Sequence, residues 1–201
     1  MKSKGRTMKK SSNTAINTIF QRRSVGRLSI PGPSEAELIT ILRAGASAPD
    51  HKVTRPFWFT VFEGEAREEF GDVLVNALID RMKAKGVEPT PAQLSAEKQK
   101  LTRAPLVIAV AAKKNPDFKL PDQEIISAGA AAAQNMLIAA TSYGYGSIWR
   151  TGEMAYDPSI KAALGLAETD YLIGFVYIGS YRDGVAPDPN DPSIDELVRS
   201  W

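Results

Sequence analysis

The residues that could do chemistry fall into three groups. The densest is Gln21-Arg22-Arg23-Ser24-Val25-Gly26-Arg27, three guanidiniums, a hydroxyl and a glycine in one short run. Arginine forks match phosphate oxygens, and a serine hydroxyl or free backbone amide adds donors. The run therefore reads as a seat for a phosphate-bearing ligand. It also reads as a solvated basic helix end, where Arg favours the C-terminal dipole. The second group is Ser47-Ala48-Pro49-Asp50-His51-Lys52 and the third Trp149-Arg150-Thr151-Gly152. Each adjoins an expected core element, and loops on a rigid scaffold are where binding residues gather. Taken singly, His51 reads as an exposed loop histidine, and Trp149 fits core packing as well as a site wall. Donors outnumber good acids and bases, which points to no catalytic side chain and to chemistry carried by a bound cofactor.

Composition removes other chemistries. With no cysteine and one histidine, disulfides, thiol nucleophiles, thiolate metal sites and multi-histidine metal sites are all out. No metal is expected. Gly144-x-Gly146 follows a helix and precedes a strand, the reverse of a dinucleotide fingerprint. No phosphate-binding P-loop, serine elbow or HExxH stands in the chain.

The net charge of +2 is an average of +8 over the first 34 residues and −6 over the rest. Residues 1–12 read as a disordered basic segment or tag, and 13–201 as one domain with a C-terminal arm. The basic end admits one alternative, a non-enzymatic nucleic-acid-binding module, whose affinity would fall steeply with salt. A basic, aromatic-laced folded face is missing, so no nucleic acid is the expected partner. No apolar run suggests a membrane span, and no apolar stretch follows the basic lead to make a signal peptide. The expectation is a cytoplasmic protein without a membrane partner.

The elements that must position these groups follow from periodicity. Asn13 or Thr14 caps a helix with Ala15, Ile16, Ile19 and Phe20 on one face, running through Arg22 and Arg23 to about Gly26. Ser34-Glu35-Ala36-Glu37 is a capping box for a helix to about Ala46. Phe57 to Glu63 reads as a strand, and Glu65 to Lys85 as an amphipathic helix. Ala92 to Arg103 reads as a polar cover helix adding little to the core. Pro105 to Ala112 is a buried central strand. Gln123 to Tyr143 is a long helix whose Ala128 to Ala133 patch suits crowding or a subunit contact. Ser147 to Arg150 is a strand, Asp157 to Leu164 a short helix, and Tyr171 to Gly179 the last strand. Ser193 to Trp201 closes as a short helix or an arm. The sum is α+β, a mainly antiparallel sheet of about four to five strands flanked by helices.

At these spacings the motifs R-R-S-x-x-R-L, I-L-R-A-G-x-x-A-P-D-H-K and G-x-I-W-R-x-G resemble the FMN-dependent nitroreductase family, in its compact YdjA-type branch. The resemblance runs from about Thr14 to Pro192. It implies a homodimer with FMN at the interface, and NADH or NADPH as reductant. Hydride would pass by a ping-pong cycle through FMN N5 to a nitroaromatic, quinone or similar small-molecule acceptor. Dehydrogenation or dehalogenation on the same fold is the alternative chemistry. Arg22 and Ser24 would hold the phosphate and ribityl region, with Arg23 or Arg27 at the phosphate or the ring edge. Ser47 and Pro49 would join the pocket, and His51 would approach from the partner subunit. Trp149, Arg150, Thr151 and Gly152 would line the opposite side. Many relatives have a basic residue where Gly26 stands, and Val53-Thr54-Arg55-Pro56-Phe57 replaces a common N-x-Q-P-W pattern.

Overall fold

A computed structural model describes residues 14–189 and 192–201. The expected basic lead, residues 1–12, lies outside the described residues, as does the proposed cap Asn13. Eleven helices and strands follow in the order α1 (Thr14–Gln21), β1 (Leu28–Ser29), α2 (Glu35–Ala46), β2 (Phe57–Phe62), α3 (Ala66–Ala84), α4 (Pro91–Lys98), β3 (Leu106–Ala112), α5 (Asp122–Ser142), β4 (Gly146–Arg150), α6 (Pro158–Ala163) and β5 (Tyr171–Tyr181).

The sheet is antiparallel in every strand pair. β3 lies between β2 and β5; β5 pairs with β4 over Phe175–Gly179 and with β1 at Ser180 and Tyr181. β3 is buried along its whole length, because helices cover both faces. On one face Val107, Ala109, Phe175 and Tyr177 meet Leu74 of α3 and Ile160 of α6. On the other, Ile108, Val110, Val176 and Ile178 meet Ile41 of α2 and Met136 of α5. A strand covered on both faces needs apolar side chains at every position, which is why its sequence is continuous rather than alternating.

α2 carries the full capping box: Ser34 N–H and Oγ–H both donate to Glu37 Oε2 (2.7 Å each), and the Glu37 N–H donates back to Ser34 Oγ. The Ala/Gly patch of α5 is explained within the chain. A Cβ on Gly129 would collide with the Ile173 side chain, so glycine lets α5 lie close to the sheet. Ala132 and Ala133 are fully buried there, and no subunit contact is needed to account for them. By length and hydropathy α5 also passes as a membrane span, the only such helix among the described residues and more apolar than expected. It is the core helix between α2 and the sheet.

The first helix is shorter than expected. α1 ends at Gln21, closed by Arg22 N–H donating to the Thr18 carbonyl (3.0 Å), so Arg23 to Arg27 run past the helix. Its inner residue is Thr18, while Ile16 and Ile19 are 39% and 44% exposed. The 91–103 segment is a mostly exposed polar cover, as its sequence implies, pinned by buried Glu97 and Leu101 and by Gly71 of α3, which lies against the Lys98 carbonyl. The C-terminal arm contains no helix among its described residues.

Candidate functional site

The short strand β1 sets the site. Pairing Leu28 with Tyr181 places the preceding segment across the start of β4. Ser24 forms a parallel bridge with Ser147, and Val25 N–H donates to the Ser147 carbonyl (2.9 Å). The Arg22–Arg27 run therefore leaves the helix at Arg22 and is tied to the sheet at Ser24 and Val25, with Gly26 and Arg27 exposed. Arg22 Nη1 reaches Ser24 Oγ at 3.5 Å. Gly26 lies so close to Arg150 that a Cβ there would sit 2.9 Å from Arg150 Nη2. The first and third groups thus meet, although Arg27 and Arg150 are 123 positions apart in the chain.

The meeting point is rich in donors. Arg27 is exposed and has no side-chain partner among the described residues. Arg23 is engaged otherwise, donating to the Asp188 carbonyl at the root of the arm (2.9 Å). The same pairing brings Arg182, whose N–H faces the Arg27 carbonyl at 3.4 Å. The guanidinium of Arg150 lies 5.9 Å from the centre of the Tyr177 ring, within cation–π reach. Burial pushes the Tyr177 phenol up to about 12, against a smaller lowering by Arg103 and Arg150, so it stays protonated.

Trp149 and Thr151 line a recess of 330 Å³ with Tyr156, Tyr171 and Ile126. Trp149 Nε1–H donates to the Ile173 carbonyl (3.1 Å), which fixes the indole as a wall. Gly174 makes this possible: its φ of +144° and missing Cβ leave room for the indole and the Arg150 carbonyl. At Gly152 the chain turns with φ +64°, which glycine adopts freely.

Ser47, Pro49 and His51 are not brought to this cluster. Ser47 closes α2, its hydroxyl donating to the Ala44 carbonyl (2.8 Å). Pro49 and His51 line a separate recess against the first turns of α5, where His51 Nδ1 lies 3.6 Å from Glu124 Oε2. The loop beyond is strained. Lys52, Val53 and Arg55 all have positive φ, and the Asp50 carboxylate accepts the Arg55 N–H at 2.7 Å. Left-handed backbone at a β-branched residue costs of order 1–3 kcal/mol.

Arg182, Ser147 and Tyr177 are the residues the sequence reading missed. Each enters through strand pairing at a distance, which leaves no local signal. Ser147 Oγ is buried and lacks a hydrogen-bond partner. Among the described residues, no group of three His, Cys, Asp or Glu side chains could hold a metal ion.

The donor set of Arg22, Ser24, Arg27 and Arg150 suits an anion, and beside it lies an aromatic-walled recess suited to a planar ring. This fits a flavin mononucleotide, which has both parts.

Comparison with known proteins points the same way. Residues 19–180 match the model of the Nitroreductase family. YdjA of Escherichia coli (strain K12), provisionally named an NAD(P)H nitroreductase, is 38% identical over 184 residues, covering 92% of this chain and 97% of its own. A nitroreductase-like family protein from Bacillus cereus superposes with a TM-score of 0.77 at 25% identity, covering 96% of this chain and 99% of its own. A nitroreductase with bound FMN from Bacteroides fragilis superposes with a TM-score of 0.68 at 25% identity, covering 94% of this chain and all of its own.

Proposed function

The chain belongs to the Nitroreductase family, and from that premise we propose that it is an FMN-dependent NAD(P)H oxidoreductase reducing nitroaromatic, quinone or similar acceptors. One observation carries the residue assignment: the Arg22–Arg27 edge lies on β4, with Gly26 against Arg150. When bound, FMN would supply the hydride chemistry that links the nicotinamide to the acceptor in a ping-pong cycle. The protein's part is binding and electrostatics. Arg22 and Ser24 hold the phosphate, the exposed Arg27 serves the phosphate or ring edge, and Arg23 anchors the arm instead. Trp149, Thr151 and Gly152 form the wall, and guanidinium charge nearby favours added negative charge.

The homodimer belongs to this proposal. Ile16 and Ile19 of α1 and Ile194, Leu197, Val198 and Trp201 of the arm are all exposed. A second copy is the natural cover for them. It would also explain why the Ser47–His51 loop lies apart from its own chain's donors: it serves the partner's flavin. A cytoplasmic location accords with the absence of cysteine.

The deciding experiment is anaerobic. Purified protein reconstituted with FMN should show flavin absorbance, bleach with NADPH or NADH, and recover colour with a nitroaromatic or quinone. Failure to retain FMN after reconstitution overturns the proposal.

A further inference from the structure

The loop between β3 and α5 borders an open recess of about 840 Å³, distinct from the donor cluster. Lys113, Lys114 and Lys119 line it, over an apolar floor that includes Phe118 and Leu120. Asp170 lines both this recess and the aromatic one holding Trp149 and Thr151, so the two adjoin. A polar link joins them as well: Lys114 Nζ donates to Asp122 Oδ1 (2.7 Å), and the Tyr171 hydroxyl bonds the same carboxylate.

The charges facing the groove favour an anion. Lys114 is neutralised by Asp122. Asp170 spends its oxygens on the N–H groups of Lys114 (2.9 Å) and Ala167 (2.8 Å). Lys113 rests on the Trp58 ring, 3.4 Å from its centre, with no carboxylate partner. Lys119 is exposed and has no partner among the described residues. Lys161, on the aromatic recess, meets only the Glu168 carbonyl (2.8 Å). Asp117 and Glu168 flank the loops without lining either recess.

We propose that the lysine recess takes the phosphorylated adenosine half of the nicotinamide reductant, while its nicotinamide reaches the flavin ring held at the adjoining aromatic recess, so that NADPH is preferred to NADH. This rests on the oxidoreductase reading above. The nicotinamide end is common to both reductants, so discrimination has to come from the far end. There NADPH carries an extra phosphate, and ammonium groups without a carboxylate partner can discriminate by charge.

The test compares FMN-loaded wild type with Lys119→Glu and with Lys113→Gln/Lys119→Gln. Flavin reduction is followed anaerobically with NADPH, NADH and reduced nicotinamide mononucleotide, which lacks the adenosine half. The half-saturating NADPH concentration should rise roughly tenfold per lost contact. That for NADH should rise less, and that for the mononucleotide should not move. Equal changes for all three overturn the proposal. A second readout needs no flavin: adenosine 2′,5′-bisphosphate should bind wild type in calorimetry, and the double variant roughly tenfold more weakly or worse. No binding to wild type, or equal binding to both, overturns the recess assignment. The two readings fail separately. A protein that keeps FMN and is reduced by light but ignores the lysines loses only this inference. A protein that holds no flavin loses the oxidoreductase reading, and the calorimetry still decides the recess.

Discussion

At the residue scale the site depends on a few groups whose removal has distinct effects. The Arg22 guanidinium and the Ser24 hydroxyl lie 3.5 Å apart, where both can reach a single anion. Hydrogen bonds to a charged group contribute about 1.5–3 kcal/mol each. Arg22→Ala with Ser24→Ala should therefore weaken FMN binding roughly a hundredfold or more, read by flavin fluorescence titration. The fold should hold, because Ser24 is exposed and the bridge to Ser147 is made by backbone. Full FMN occupancy in that variant would refute the phosphate assignment. Gly174→Ala acts the other way, on structure first. A Cβ there would stand 2.6 Å from the Arg150 carbonyl and collide with the Trp149 indole, at a φ that L side chains rarely adopt. We expect a loss of about 3 kcal/mol, seen as a drop in Tm of roughly 6–12 °C. Trp149 should also lose its bond to Ile173 and gain solvent, shifting its fluorescence to the red.

At the element scale the loop after β4 is held by a charge network from two other helices. Arg81 of α3 bonds Asp157, the N-cap of α6, and lies 3.6 Å from buried Glu97 of α4. Glu97 also accepts from Lys100 (2.6 Å). Burial pushes the Asp157 carboxyl up, but bonds from Ser159 and Arg81 pull harder and hold it below the usual range. Its folded value is thus below the unfolded value near 3.9, so its stabilisation is whole above about pH 4 and disappears as pH falls through the folded value. Asp157→Asn should cost about 2–3 kcal/mol at pH 7. In melts taken at decreasing pH the gap from wild type should close below about pH 4; a gap that persisted unchanged to pH 2 would remove the carboxylate from the account. Sequence reading found the long elements because their periodicity and caps are local: the Ser34–Glu37 box, the Asp157-Pro158 start and the unbroken β3 all carried their own signals. It missed what depends on distant contacts. β1 is two residues long, and only pairing with β5 creates it. α4 is the polar cover its sequence implies, but the burial of Glu97 by Arg81 and Lys100 left no local signal. The Arg22–Arg27 run was legible as donors but not as an edge of the sheet, since Ser147 lies far along the chain.

For the whole molecule, cofactor site and assembly meet at one contact. The Arg23 guanidinium, in the middle of the proposed FMN edge, holds the Asp188 carbonyl where the arm departs. Beyond that point Ile194, Leu197 and Val198 are 61%, 75% and 64% exposed, and Trp201 has no cover at all. Burying such side chains stabilises by about 1.5–3 kcal/mol each, more than a free arm would forgo without a partner surface. Deleting residues 192–201 should therefore weaken self-association roughly a hundredfold or more, measured by sedimentation across a dilution series. The core is closed without the arm, since neither sheet face draws a buried residue from beyond Ile178. The truncated chain should fold, and lose the concentration dependence of Tm that a dimer confers. If the Ser47–His51 loop serves the partner's flavin, FMN affinity should fall together with association, and restoring high protein concentration should restore it. A truncated protein that is monomeric at every concentration yet binds FMN as wild type does would separate the two, and the site would then be complete within one chain.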